Sequence, residues 1–189
     1  MALHESIGPL ATTISAIAKR AGVQRLTVRT HFPTASDLFK ACSGLFFARN
    51  PPPDPDTWRR IVDPEERLRE ALTHLYAFYG RTERMLGNVT RDARVAPELV
   101  GVSLRAFVSR MRSALSSGWG VDREGDLVFQ AALGHALDFT TWRSLVRDRG
   151  LRDDQAIRLM VALIGGAAAP PMDAPRVAPG AGVPGRPRA

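Results

Sequence analysis

Residues 13–42 read TISAIAKRAGVQRLTVRTHFPTASDLFKAC, and the fold turns on this stretch. Thr13 is a good N-cap, and after it Ile14, Ile17, Ala18 and Ala21 recur at three- and four-residue spacing, which makes one face of a short helix apolar. Gly22 ends that helix, and the apolar Val23 just beyond it suits a tight helix-to-helix turn by packing back into the angle between the helices. In the segment from Gln24 to His31, Leu26 and Val28 are expected to face inward, leaving Gln24, Arg25, Thr27, Arg29 and Thr30 outside. Phe32 and Pro33 form the exit, and Ser36-Asp37-Leu38-Phe39 opens a further helix that runs through Leu45, Phe46 and Phe47. Two short helices joined by a glycine turn and followed by another are a helix-turn-helix.

The outward residue types of the second helix match a particular chemistry. Arg and Gln make paired hydrogen bonds to base edges in the major groove, while Thr and Lys hold phosphates. An ordinary basic surface helix also carries exposed arginines, but it needs neither the glycine turn nor the aromatic-proline exit. Charge is concentrated in the same place. Of a net +7, residues 1–50 hold six basic residues (Lys19, Arg20, Arg25, Arg29, Lys40, Arg49) against two acids, Glu5 and Asp37. Such an excess suits a polyanion-binding surface.

The order T-x-x-x-I-A-x-x-A-G-V, then T-V-x-x-H-F-P and D-L-F, resembles the DNA-binding head of the tetracycline-repressor-like (TetR) regulators over about the first fifty residues. The resemblance implies Thr13 as the cap of the first helix of the motif, Gly22 as the turn, Gln24 to Thr30 as the recognition helix, and His31-Phe32-Pro33 as the exit. The residues it puts at DNA are Thr13, Lys19, Gln24, Arg25, Thr27, Arg29, Thr30 and His31. Two positions depart from the family pattern: Arg29 stands where a tyrosine is usual, and Ala35 where a phosphate-holding lysine is common. Arg29 is then expected to take over the phosphate contact. The family also has a longer helix before the motif. Met1 to Ile7 offers two turns at best, with Leu3 and Ile7 to cover the faces carrying Ile14, Ile17, Val23 and Val28, so the expectation is that the true start lies upstream of Met1.

Beyond the head, proline-rich residues 50–55 exclude a helix, with Trp58 and Ile61 as anchors. Asp63-Pro64-Glu65-Glu66 is a strong helix start, followed by Leu68, Leu72, Leu75 and Tyr79 on one face. A short helix is expected over 82–92, another from Pro97 to Leu115, a long one over 124–149, and a last one over 153–164 stopped by Gly165-Gly166. The last two are apolar on more than one side and so call for a second partner. Residues after Ala167 are Pro, Gly, Ala and Arg, a composition that cannot order itself. The expected architecture is all-α: a helix-turn-helix head (1–48), a helical ligand-binding and dimerisation body (49–166), and a disordered tail (167–189).

Other chemistries find little support. The four histidines have no metal-site spacing; His135 and Asp138, three apart on one expected helix face, lack a third ligand. Lone Cys42 excludes a disulfide framework. Gly118-Trp119-Gly120 and Gly165-Gly166 lack the Lys-Ser/Thr of a phosphate loop. No run of eighteen apolar residues and no signal peptide is seen, so a cytoplasmic protein away from membranes is expected, with no enzyme activity and no cofactor. Body aromatics with a few polar groups suit a small-molecule pocket between helices, and the resemblance implies an inducer site there, assigned to His74, Phe78, Phe107, His135, Asp138 and Trp142. The expected function is a homodimeric transcriptional repressor that binds a near-palindromic double-stranded DNA operator and responds to a small-molecule effector. The rival is a ligand-binding or enzymatic bundle with a vestigial head.

Overall fold

In the computed structural model, which describes residues 2–97, 102–120 and 125–168, the described residues form helices and turns, with no strand among them. The head comprises α1 (Ala2–Ile7), α2 (Ile14–Ala21), α3 (Arg25–His31) and α4 (Ala35–Arg49). The body comprises α5 (Pro55–Trp58), α6 (Pro64–Ala93), α7 (Val102–Leu115), α8 (Leu127–Ala136), α9 (Phe139–Arg143), a π-helical turn (Ser144–Asp148) and α10 (Asp153–Ala168). Residues 98–101 of the helix expected from Pro97, Glu124 and the tail beyond Ala168 lie outside the described residues.

The body is built around α6. Asp63 caps it by accepting from the Glu66 amide at 2.7 Å, with Pro64 in the first turn. Leu68, Leu72, Leu75 and Tyr79 are buried as expected, and Ala71, Tyr76, Phe78, Met85 and Leu86 are buried beside them. The apolar stripe is therefore wide enough to receive α10, α7 and α9. That stripe continues unbroken past Gly80, so the two helices expected on either side of it are a single thirty-residue helix. Arg67 is buried near its start. The guanidinium donates to the carbonyls of Ile61, Val62 and Ser117 and to the Ser117 hydroxyl, tying the preceding loop to the end of α7. Trp58, 1% exposed, anchors α5 as expected, although Pro55 begins that turn of helix instead of preventing it. A proline costs nothing at a first helical position.

The expected long helix over 124–149 is broken at Leu137. The hydroxyls of Tyr76 and Tyr79 donate to the carbonyls of Ala136 and Leu137 at 3.1 and 2.6 Å, so these carbonyls are engaged from α6 instead of along the chain. Asp138 then caps α9 by accepting from the Thr140 amide at 2.6 Å. His135 and Asp138 thus do not share a helix face. Two further expectations are corrected. Helix α10 runs through Gly165-Gly166 to Ala168, with Ile164 fully buried beneath it. On the two segments expected to call for a second partner, Leu137 and Met160 are 0% and 4% exposed within one chain, while Leu159 and Leu163 on α10 are each 45% exposed.

Head and body meet where α1 lies on α6. The Asn88 amide donates to the carbonyls of His4 and Glu5, both at 2.9 Å, and Arg91 donates to that of Ile7 at 3.0 Å. These carbonyls end α1; that of His4 also accepts from the Gly8 amide at 3.0 Å, while the others lie past the last backbone bond of the helix. The buried Asp92 carboxylate accepts from the Leu10 amide at 2.9 Å. Gly8, at φ 93°, is pressed against this cluster: a Cβ there would lie 2.2 Å from Arg91 Nη2 and 2.6 Å from Asp92 Oδ2. Nearby, Phe39, Cys42 and Phe46 of α4 and Met85, Leu86 and Val89 of α6 enclose a small apolar cavity of about 40 Å³.

Candidate nucleic-acid interface

The turn between α2 and α3 is made by the backbone. Gly22 is left-handed, and the amides of Val23 and Gly22 donate back to the carbonyls of Ala18 (3.1 Å) and Lys19 (3.4 Å), closing a Schellman turn. No atom lies within 4 Å of where a Cβ would stand on Gly22, so the positive φ, not crowding, is what calls for glycine. Thr13 Oγ1 accepts from the Ala16 amide at 3.1 Å, the N-cap read from the sequence.

Helix α3 sits on the head by Val28, 6% exposed. Leu26 was expected beside it but is 71% exposed. Two residues along a helix are about 200° apart, so one of the pair must face away from α2. Leu26 shares the outer face with Arg29 and Thr30, three and four positions on. The Thr30 hydroxyl donates to the Leu26 carbonyl at 3.0 Å. Gln24 stands at the N-cap of α3 without a side-chain capping bond, and Arg25, Thr27 and His31 are exposed.

The electrostatics of the head are one-sided. Lys19, Arg20, Arg25, Arg29, Lys40 and Arg49 are all exposed, and none of them forms an ion pair among the described residues. On the body, Arg69, Arg147 and Arg158 each meet a carboxylate at 2.8 Å, while Arg60, Arg81, Arg84, Arg94 and Arg143 form no ion pair among the described residues. Asp37, one of the two head acids, is committed to capping α4. Its amide donates to Thr34 Oγ1, while its carboxylate accepts from the Thr34 hydroxyl at 2.6 Å and amide at 3.1 Å. These bonds hold the Asp37 carboxyl below its ordinary range.

The six body residues assigned to an effector do not line one cavity. Phe78 and Trp142 are packed in the core, with Trp142 Nε1 donating to Asp153 at 3.0 Å. His74 lies outside, accepting from Trp58 Nε1 at 3.3 Å and meeting Glu70 at 3.2 Å. His135 pairs with the Thr141 hydroxyl at 3.1 Å, and Phe107 is half-buried against the core. Asp138 alone opens onto a cleft of about 420 Å³, which it shares with Arg105, Val108, Ser109 and Arg112. Arg112 lies over Gly134, where a Cβ would stand 2.0 Å from its Nη2. Sequence reading missed this cleft and the Asn88-Arg91-Asp92 joint alike. Their partners are too distant in sequence for any local pattern to reveal.

Residues 1–42 match the family model described as bacterial regulatory proteins, tetR family. No curated protein matches the chain, and neither does any solved structure. The head is thus similar to the DNA-binding helix-turn-helix of the tetR family over residues 1–42, and a helical body follows it. No helix among the described residues is long and apolar enough to cross a membrane.

Proposed function

We propose, on the premise that this chain is a DNA-binding transcriptional regulator of the tetR family, that it acts as a homodimeric repressor of a near-palindromic operator. The observation that carries the reading is the set of six exposed head cations that form no ion pair among the described residues, two of them on α3. Six head cations against two acids, one of them committed to a helix cap, suit phosphates, whose counterions are released on binding. Gln24, Arg25 and Thr27 would face the bases from α3, with Thr13, Lys19, Arg29, Thr30 and His31 at the backbone. Two heads would then occupy half-sites about 34–36 Å apart, the spacing that a dimer with one helix in each of two successive major grooves requires.

Dimerisation is supported by apolar surface on the last helices. Leu127, Val128, Leu159 and Leu163 are exposed among the described residues. A second copy meeting that face would bury it in a helical bundle. For the effector, the cleft holding Asp138, Val108 and Arg112 is of a size that takes a small molecule. An occupant there would bear on the break between α8 and α9, which α6 holds, and α6 also carries α1 and the head.

A gel shift with the DNA upstream of the protein's own gene tests the reading. A discrete shifted complex that weakens steeply between 50 and 200 mM salt is expected, by a factor of about 10³ or more for six or so phosphate contacts. Absence of any complex at low salt would refute it.

A further inference from the structure

We propose that Leu26 reads the 5-methyl group of a thymine at one fixed position of each half-site, an inference that rests on the DNA-binding reading above. Leu26 is the most exposed large apolar residue of the head, at 71%, against 40–46% for Ile7, Leu10, Val23 and Leu45. It is the second residue of α3, at the end of a recognition helix that reaches base edges. Arg29 and Thr30 flank it on the same face, Arg25 precedes it, and Val28 on the opposite face fixes the helix to the head. Among the described residues, this isobutyl group stands between exposed arginines and is left mostly to water. The major groove presents one apolar group, the thymine methyl, and an apolar side chain long enough to reach it recognises it by contact alone. The arginines bring the helix to the phosphates and guanine edges, and Leu26 adds a contact that cytosine, lacking the methyl, does not return.

The test uses the strongest-binding duplex selected by the wild-type protein from a randomised pool. Each thymine is replaced in turn by deoxyuridine, which removes the methyl and leaves every hydrogen-bonding group in place. Affinities are measured by fluorescence anisotropy for wild type and for Leu26→Ala, whose solvent-facing position leaves the fold intact as checked by circular dichroism. The expected result is one position per half-site where deoxyuridine weakens wild type about fourfold, the worth of one buried methyl group. The same replacement is expected to have no effect on Leu26→Ala. A wild type indifferent to every replacement, or a sensitive position equally sensitive in Leu26→Ala, overturns the assignment while leaving DNA binding standing. If no duplex is selected at low salt, DNA binding and the assignment fall together.

Discussion

Arg25 and Lys19 are both exposed and both unpaired, yet they are expected to differ in what they contribute. Arg25 begins α3, where a guanidinium can fork onto the O6 and N7 of guanine, whereas Lys19 lies in the last turn of α2 as a point charge for phosphate. Arg25→Ala is expected to lower operator affinity by about 1–3 kcal/mol and to relax preference at one base pair. Lys19→Ala is expected to weaken all sequences alike and reduce the salt slope by about one. Anisotropy titrations against operator and scrambled duplexes at several salt concentrations separate the two. Equal affinity of Arg25→Ala and wild type for the operator would remove Arg25 from the interface.

The break between α8 and α9 belongs to the scale of the element, because two tyrosines on α6 hold it open. Burial keeps both phenols neutral, pushing their pKa values well above the ordinary tyrosine range. Each therefore remains a donor at any pH in which the protein folds. Tyr79→Phe removes the donor to the Leu137 carbonyl and leaves that group in a core from which water is excluded. A loss of about 1–3 kcal/mol in urea unfolding is expected. If α8 and α9 are instead broken by Asp138 alone, Tyr79→Phe will be neutral and Asp138→Ala will carry the loss.

For the whole molecule, the two matters are assembly and the joint of head to body. Leu159→Glu combined with Leu163→Glu puts charge on exposed positions, so the protomer should fold while the proposed dimer dissociates. Sedimentation at micromolar concentration is expected to show dimer for wild type and monomer for the double variant; a wild-type monomer would refute the dimer. At the joint, burial lowers the pKa of His4 below 6.5, with the chain's amino terminus adding to the shift and Asp92 opposing it. The unfolded chain therefore takes up that proton first. The stability that His4 contributes is full above pH 6.5 and is lost as pH falls through the lower folded value. Thermal midpoints should drop between pH 7 and 5.5, and His4→Gln should flatten that drop.

The local elements were legible in the sequence because their causes are local. Thr13, Gly22, Pro64 and Asp63 act on amides and dihedrals a few residues away, and the 3.6-residue spacing of Leu68, Leu72 and Leu75 needs no knowledge of what covers them. The uncompensated charge of the head was likewise readable, as a count of Lys and Arg against two acids. What the tertiary structure decided depends on groups far apart in the chain. Leu26 and Val28 look alike in sequence, and only the packing of α3 on α2 chooses which is buried. Gly165 reads as a stop but lies within α10, and the helices expected on either side of Gly80 are one, because burial along α6 and α10 outweighs the modest cost of a glycine. The division of residues 124–149 rests on hydroxyls some sixty positions earlier, and the capping of α1 on side chains more than eighty positions later. Hydrogen bonds of that reach leave no periodic trace, so the joint between head and body is set by the fold and not by any stretch of its sequence.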